Sequence, residues 1–139
     1  MSYLNIASNV TNNQDLSTFN TFALRSNAKQ YIDLKEKKQL PLLAEYLKNN
    51  SFLERFFILG GGSNVVLSQQ IDHFVVHNQL KGIELLAEED GSFLIKAAAG
   101  EVWHDFVLHC LRNGWHGLEN LALIPGTVGA APVQNIGAY

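Results

Sequence analysis

Residues 56–64 read Phe-Phe-Ile-Leu-Gly-Gly-Gly-Ser-Asn, a short apolar run that ends in three consecutive glycines. Four apolar residues bounded by glycine predict a buried strand over Phe56–Leu59. Glycine accepts positive φ and lets the backbone approach a ligand closely, so successive N–H groups of residues 60–62 can face one concavity and bind an anion such as a pyrophosphate. Ser63 and Asn64 add side-chain donors. A tight turn that binds no ligand remains an equal alternative on this stretch alone.

Two common phosphate-binding motifs do not fit this stretch. The dinucleotide fingerprint requires a glycine at the sixth position and then a helix, but counting from Gly60 the sixth position is Val65, and apolar strand-like segments follow. The Walker motif requires lysine after its last glycine, and Gly62 is followed by Ser63. A phosphate bound here would therefore lie in a loop between strands, without help from a helix dipole.

The residues before the glycines predict a β-α-β unit. Residues 30–34 are typical of a short strand. Residues 40–47 carry Leu40, Leu43, Ala44 and Leu47 at helical spacing, and Pro41 suits the first turn of that helix. With the strand at 56–59, the order is strand, helix, strand.

The residues after the glycines predict several strands and a second helix. Strands are expected at 65–67, 74–76, 83–86 and 93–97, with residues 88–91 as the turn of a hairpin. The helix is expected to begin near Glu101 and to stop at Gly114. Its apolar face would comprise Val102, Trp103, Phe106, Val107, Cys110 and Leu111. These elements together predict an α+β fold.

Composition narrows the functional classes. The chain has 139 residues, with 47% hydrophobic and 17% charged residues, which predicts one packed domain or a piece of a larger protein. A net charge of −3 argues against a nucleic-acid-binding surface, and Cys110, as the single cysteine, cannot form an internal disulfide. No secretory pattern or membrane-spanning run is present, so a cytoplasmic protein is expected. Residues 1–18 predict a loose, polar leader.

The titratable residues give no metal or nucleophile signature. The five histidines lack a thiolate or carboxylate set that would complete a metal site, and Cys110 lies on the apolar helix face with the core residues. We therefore expect no metal site. The five are His73, His77, His104, His109 and His116.

The most distinctive segment is the last one. Residues 117–129 read Gly-Leu-Glu-Asn-Leu-Ala-Leu-Ile-Pro-Gly-Thr-Val-Gly, and residues 132–139 read Pro-Val-Gln-Asn-Ile-Gly-Ala-Tyr. Small residues and prolines predict a rigid, thin segment that can lie against a planar ligand. Gln134 and Asn135 offer amides that can bind the edge of a heterocycle. The chain stops within this segment, which is typical of an interruption rather than of a domain end.

These motifs, with Gly-Glu-Val-Trp-His at 100–104 and Asn-Thr-Phe at 20–22, resemble the UDP-N-acetylenolpyruvoylglucosamine reductase family from about Phe19 to Tyr139. The resemblance implies an FAD-binding fold of the p-cresol methylhydroxylase type. Residues 19–139 would form the first FAD subdomain and the start of the second, and the substrate-binding domain would be absent. The pyrophosphate of FAD would be held by Gly60, Gly61, Gly62, Ser63 and Asn64. The cofactor cleft would be lined by Ile124, Pro125, Gly126, Thr127, Gly129 and Ala130, and the flavin would lie near Gln134, Asn135, Ile136 and Gly137.

The resemblance also implies an activity. In that family NADPH reduces the flavin, which passes hydride to the enolpyruvyl group of a UDP-sugar during peptidoglycan precursor synthesis. The catalytic arginine, serine and glutamate of the family fall beyond Tyr139, so we assign no catalytic residue and expect this chain alone to be inactive and poorly stable. Two alternatives remain open: another FAD-dependent oxidase of the same superfamily, and a non-catalytic flavin- or nucleotide-binding fragment.

Overall fold

A computed structural model describes residues 6–137. The chain divides between Gln79 and Leu80 into two compact units, which we call the first and the second unit. Within residues 6–137, neither helix has the length and apolar character that crossing a membrane requires.

The first unit is a four-stranded mixed sheet with one helix. The sheet order is β1-β2-β4-β3, in which β1 is antiparallel to β2 while β4 is parallel to both β2 and β3. The predicted β-α-β unit is confirmed, with β4 inserted between its two strands. The elements are β1 (Thr11–Asp15), β2 (Asn27–Leu34), α1 (Gln39–Asn49), β3 (Phe56–Leu59) and β4 (Gln70–Asn78).

Helix α1 forms as predicted but buries only two of the four residues of the predicted face. Leu43 and Leu47 are buried as expected, but Leu40 is 40% exposed and Ala44 is exposed, and Gln39 takes the third buried position. The Gln39 carboxamide oxygen accepts hydrogen bonds from the N–H groups of Lys35 and Glu36 at 2.9 and 2.8 Å. These bonds satisfy a buried polar group and fix the connection from β2 into the helix.

Strand β3 forms where it is predicted, but it is an edge strand and not a buried one. Phe56 is 39% and Ile58 is 58% exposed, and only Leu59 is buried. A continuous apolar run of four residues cannot distinguish an edge strand from a central one, because both depend on a partner elsewhere in the chain. The strand predicted at residues 65–67 is wrong: this stretch is a loop that buries Leu67 and leaves Val66 82% exposed.

The loose leader predicted for residues 1–18 does not describe residues 6–18. Strand β1 pairs along its length with β2, and Leu16 is fully buried in the core of the first unit. The sequence Thr-Asn-Asn-Gln-Asp of β1 shows no apolar alternation because four of its five residues are exposed. A strand with two solvated faces leaves no periodic signal.

The second unit combines a hairpin, a helix and an irregular segment. The predicted hairpin is confirmed as β5 (Ile83–Glu89) and β6 (Ser92–Ala97), joined by Asp90 and Gly91, which both have positive φ as two-residue hairpin turns require. The helix α2 (Trp103–Arg112) begins two residues after the predicted start and ends before Gly114 at φ +74°. Its buried residues are Trp103, Phe106, Val107 and Cys110; Val102 is 42% exposed.

Candidate functional site

The turn after β3 carries a run of backbone donors. None of the N–H groups of residues 60–64 donates a hydrogen bond within residues 6–137, and the Ser63 and Asn64 side chains form none there either. Gly61 and Asn64 are exposed, and Gly60 and Ser63 are half-buried. Five consecutive N–H groups without an acceptor are the donor set that an anion can use. We call residues 60–64 the glycine turn.

Packing requires glycine at position 62 of this turn. Gly62 has φ +66°, and a Cβ built on it would lie 1.9 Å from the Phe19 carbonyl oxygen. The N–H group of Thr21 donates to the Gly62 carbonyl at 3.1 Å, so the turn rests on the backbone of residues 19–21. Asn20 holds that support rigid, because its buried amide donates to the Leu16 and Leu24 carbonyls and accepts from the Leu24 N–H group.

A polar cluster from β2 and β4 lies next to the glycine turn. The Tyr31 hydroxyl donates to Asp33 at 2.5 Å and lies 2.7 Å from the Nδ1 atom of His77. Gln79 donates to Asp33 and contacts the same Nδ1 atom, both at 2.9 Å. His77 is the register partner of Leu59, the residue that directly precedes the glycine turn. The cluster therefore lies at the end of β3 from which the turn starts.

The cluster favours a neutral imidazole beside an ionised carboxylate. Burial lowers the pKa of His77, and the nearby Asp33 carboxylate and the Gly60 carbonyl offset only part of that effect. Burial would by itself raise the pKa of Asp33, but the hydrogen bond from Tyr31 and the ion pair with Lys35 outweigh it, so the pKa of Asp33 is lowered. Burial and the adjacent carboxylate raise the pKa of Tyr31, which keeps its hydroxyl protonated.

We expect the stability of the chain to fall as the pH is lowered from 7 to 5, in part through His77. Its pKa in the folded chain lies below the ordinary value of 6.5, so the unfolded chain binds more protons in this range and protonation favours unfolding. The lowered pKa of Asp33 acts in the same direction but only nearer pH 4 and below. Urea unfolding at a series of pH values measures the slope. The slope should become flatter in His77→Asn and stay unchanged in the exposed control His73→Asn; equal slopes in both variants would contradict the prediction.

The irregular segment of the second unit is held by the first residue of α2 and by the residues just before that helix. The Trp103 N–H group donates to the Gly126 carbonyl at 3.0 Å, and the Val128 N–H group donates to the Glu101 carbonyl at 2.9 Å. Between these bonds Thr127 is buried and pairs with Val102 as an isolated bridge. The Gly129 N–H group donates to the Ala99 carbonyl at 2.9 Å, and a Cβ at Gly129 would lie 2.6 Å from the Ala99 Cβ. Glycine is thus required at 129 by close packing.

The remaining residues of this segment form consecutive turns. A 3-10 turn over Val128–Ala130 continues through residues 131–137, closed by bonds from the Gln134 N–H group to Ala130 and from the Ile136 N–H group to Ala131, both at 3.0 Å. The Gln134 amide donates to the Pro125 carbonyl at 3.4 Å, and Asn135 is exposed at φ +52°. Ala138 and Tyr139 of the predicted motif lie outside the described residues.

The structure thus groups the predicted cofactor residues into two sets, one in each unit. Gly60, Gly61, Gly62, Ser63 and Asn64 lie in the glycine turn; Ile124, Pro125, Gly126, Thr127, Gly129, Ala130, Gln134, Asn135, Ile136 and Gly137 lie in the segment after α2. Sequence reasoning did not predict that Phe19 and Asn20 support the turn, although it did single out the Asn-Thr-Phe motif at residues 20–22. It also missed the His77 cluster, for which the sequence gives no local signal.

Cys110 lies in the core of the second unit, as its place on the apolar helix face predicted. Cys110 is 1% exposed in the core of the second unit, and burial raises the pKa of its thiol, as expected for a core residue. Within residues 6–137 no group of three or more histidine, cysteine, aspartate or glutamate side chains could hold a metal ion.

Comparison with known proteins gives consistent matches. The family model of the FAD binding domain matches residues 28–139. The chain is 52% identical over 126 residues to the UDP-N-acetylenolpyruvoylglucosamine reductase of Bordetella pertussis, covering 91% of this chain and 35% of that protein. It is 46% identical over 130 residues to the reductase of the same name from Flavobacterium johnsoniae, covering 94% of this chain and 37% of that protein. The chain thus spans about a third of the length of the curated relatives it matches.

A solved structure shows the same fold. The crystal structure of UDP-N-acetylenolpyruvylglucosamine reductase from Thermus caldophilus superposes with a TM-score of 0.57 at 21% identity, over 88% of this chain and 40% of that one. This similarity and the mixed sheet confirm the predicted α+β FAD-binding fold. Because the family model covers most of the chain, the protein belongs to the FAD-binding domain family.

Proposed function

We propose that the glycine turn binds the pyrophosphate of FAD. The observation that carries this proposal is the run of N–H groups at residues 60–64, none of which has an acceptor within residues 6–137. Two phosphate groups carry several acceptor oxygens, and backbone donors fixed in a loop bind them without the cost of ordering long side chains. Gly61 is exposed and adds no side chain in the way of a ligand. The Ser63 hydroxyl and the Asn64 amide supply further donors.

The second set of residues is proposed to line the cofactor. Residues 126–129 are held by backbone bonds to residues 99–103, at the start of α2 and just before it, so they form a fixed segment. The N–H groups of Gly126 and Thr127 donate no hydrogen bond within the described chain, and the half-buried Gly126 can offer its N–H group to a ligand. Gln134, Asn135, Ile136 and Gly137 are proposed to lie near the flavin, with the exposed Asn135 amide able to bind the polar edge of the ring.

For the whole protein, we propose reduction of the enolpyruvyl ether of a UDP-linked N-acetylglucosamine to UDP-N-acetylmuramate in peptidoglycan precursor synthesis. The support is the sequence identity of about 50% between this chain and relatives named UDP-N-acetylenolpyruvoylglucosamine reductase. Bound FAD would supply the hydride-transfer chemistry, with NADPH as the donor. The residues of this chain would bind and orient the cofactor, and none is assigned a catalytic role. A cytoplasmic location follows from this proposal, since the substrate is a nucleotide-sugar.

An FAD titration of the 139-residue chain, followed by flavin fluorescence, tests cofactor binding. We expect saturable binding, with no reduction of the flavin when NADPH is then added. Gly61→Asp places a carboxylate beside the N–H groups and should weaken binding by about tenfold or more, because a like charge opposes the phosphates. Gly61→Asn is the matched control, with nearly the same shape and no charge, and should weaken binding less. Equal affinity of the two variants would contradict a phosphate at the glycine turn, and a folded wild-type chain that binds no FAD would overturn binding by this chain.

A further inference from the structure

The first two residues of α2 hold a loop that lies almost twenty residues further along the chain. The indole N–H group of Trp103 donates to the Leu121 carbonyl at 2.8 Å. The Nδ1 atom of His104 accepts a hydrogen bond from the Leu123 N–H group at 3.1 Å. Because Nδ1 accepts here, the neutral ring carries its proton on Nε2. These side chains therefore bind the loop from one helix turn, one as donor and the other as acceptor.

The loop needs such a contact at Leu123. Its backbone is left-handed, with φ +65°, a conformation that side chains other than glycine adopt only at a cost in energy. The Leu123 side chain is 79% exposed, so its own packing contributes little to holding that conformation. The hydrogen bond from the Leu123 N–H group to His104 therefore stabilises the left-handed conformation of that residue.

The contact lies next to residues proposed to line the cofactor. Leu123 directly precedes Ile124 and Pro125. Ile124 packs against the core of the second unit, the Pro125 carbonyl accepts from the Gln134 amide at 3.4 Å, and the Gly126 carbonyl accepts from the Trp103 N–H group at 3.0 Å. The hydrogen bond to His104 is thus the first of several contacts that set the course of residues 123–126.

We propose that His104 is a positioning residue for FAD binding: its Nδ1 acceptor fixes the left-handed conformation of Leu123 and so sets the course of residues 123–126. The proposal rests on the proposed function of that segment. The role requires an acceptor at the position of Nδ1. Asparagine places its Oδ1 atom at a similar distance from the backbone and can accept the same bond, whereas leucine has similar bulk and cannot.

Hydrogen exchange and FAD affinity test the proposal on four chains: wild type, His104→Asn, His104→Leu and the control His73→Leu, which removes an exposed histidine of the first unit. Exchange at the Leu123 amide is measured without FAD, and affinity by fluorescence titration. In His104→Leu we expect exchange to rise and affinity to fall, each by about three- to tenfold, the amount that one hydrogen bond accounts for. His104→Asn should restore both values to within about twofold of wild type, and His73→Leu should change neither.

Three results would overturn the proposal. They are unchanged exchange at Leu123 in His104→Leu, the same loss in His104→Asn as in His104→Leu, and raised exchange without any loss of FAD affinity. Failure of the proposed function is separate, because it appears as absence of FAD binding in the wild-type chain while exchange at Leu123 still reports the contact.

Discussion

Replacing Gly62 with alanine is expected to lower the free energy of unfolding by about 2 to 5 kcal/mol. Two costs add: about 1 to 2 kcal/mol for a left-handed non-glycine residue, and about 1 to 3 kcal/mol for overpacking. The second arises because the new Cβ would lie 1.9 Å from the Phe19 carbonyl oxygen and 2.8 Å from its carbon. These are backbone atoms, so relief requires the whole 19–21 support to move. Urea unfolding followed by far-UV circular dichroism measures the change.

Gly91→Ala is the matched control for this prediction. Gly91 has a similar φ of +76°, but a Cβ there meets nothing within 4 Å. Its cost should therefore be limited to about 1 to 2 kcal/mol from the backbone conformation. If the two variants lose the same stability, close packing against Phe19 is not what requires glycine at position 62. Displacement of the turn should also weaken FAD binding in Gly62→Ala, but not in Gly91→Ala.

Leu16→Ala is expected to destabilise the chain by about 3 to 5 kcal/mol, as removal of a buried leucine side chain beyond its Cβ atom does. Leu16 is 0% exposed and belongs to one core cluster with Ala28, Tyr31, Leu59 and Val75. It lies between β1 and the support of the glycine turn, and its carbonyl accepts a hydrogen bond from Asn20 at 3.0 Å. A cavity at this position therefore affects the sheet and the turn together. The unfolding free energy is measured as for Gly62→Ala.

Leu53→Ala removes the same atoms from a leucine that is 53% exposed, and should cost less than about 1 kcal/mol. The difference between the two leucines tests whether the first residues belong to the fold. A small effect at Leu16 would show that residues 6–18 contribute little to stability and that the loose leader predicted from composition describes them after all.

Local patterns predicted the elements whose signals are local. The hairpin is marked by Asp90-Gly91 between apolar strands, and α2 by apolar residues at helical spacing before Gly114. The glycine turn was predicted because its signal, three consecutive glycines after an apolar run, is also local. By contrast, β1 carries no apolar alternation, and the exposure of Leu40 depends on which side of α1 faces the sheet, which spacing alone does not determine.

The contacts that shape the candidate site join residues far apart in sequence, and for that reason no pattern predicted them. Gly62 is required by Phe19, which lies 43 positions earlier, and His104 binds Leu123, which lies 19 positions later. His77 meets Tyr31 only because β2 and β4 are neighbours in register. The resemblance of the motifs supplied the residues proposed for the site, while the packing reasons for several of them required the fold.

The order of strands in the sheet also determines when each strand can form. During synthesis the chain emerges from its N-terminus, so β1 and β2 can pair early across a short connection. Strand β3 emerges before β4, yet within the described residues β4 is its partner. The apolar residues Phe56–Leu59 can therefore pair with β4 only after residues 74–77 have been made. The parallel pairing thus makes the support of the glycine turn by the sheet depend on a strand that is synthesised after the turn itself.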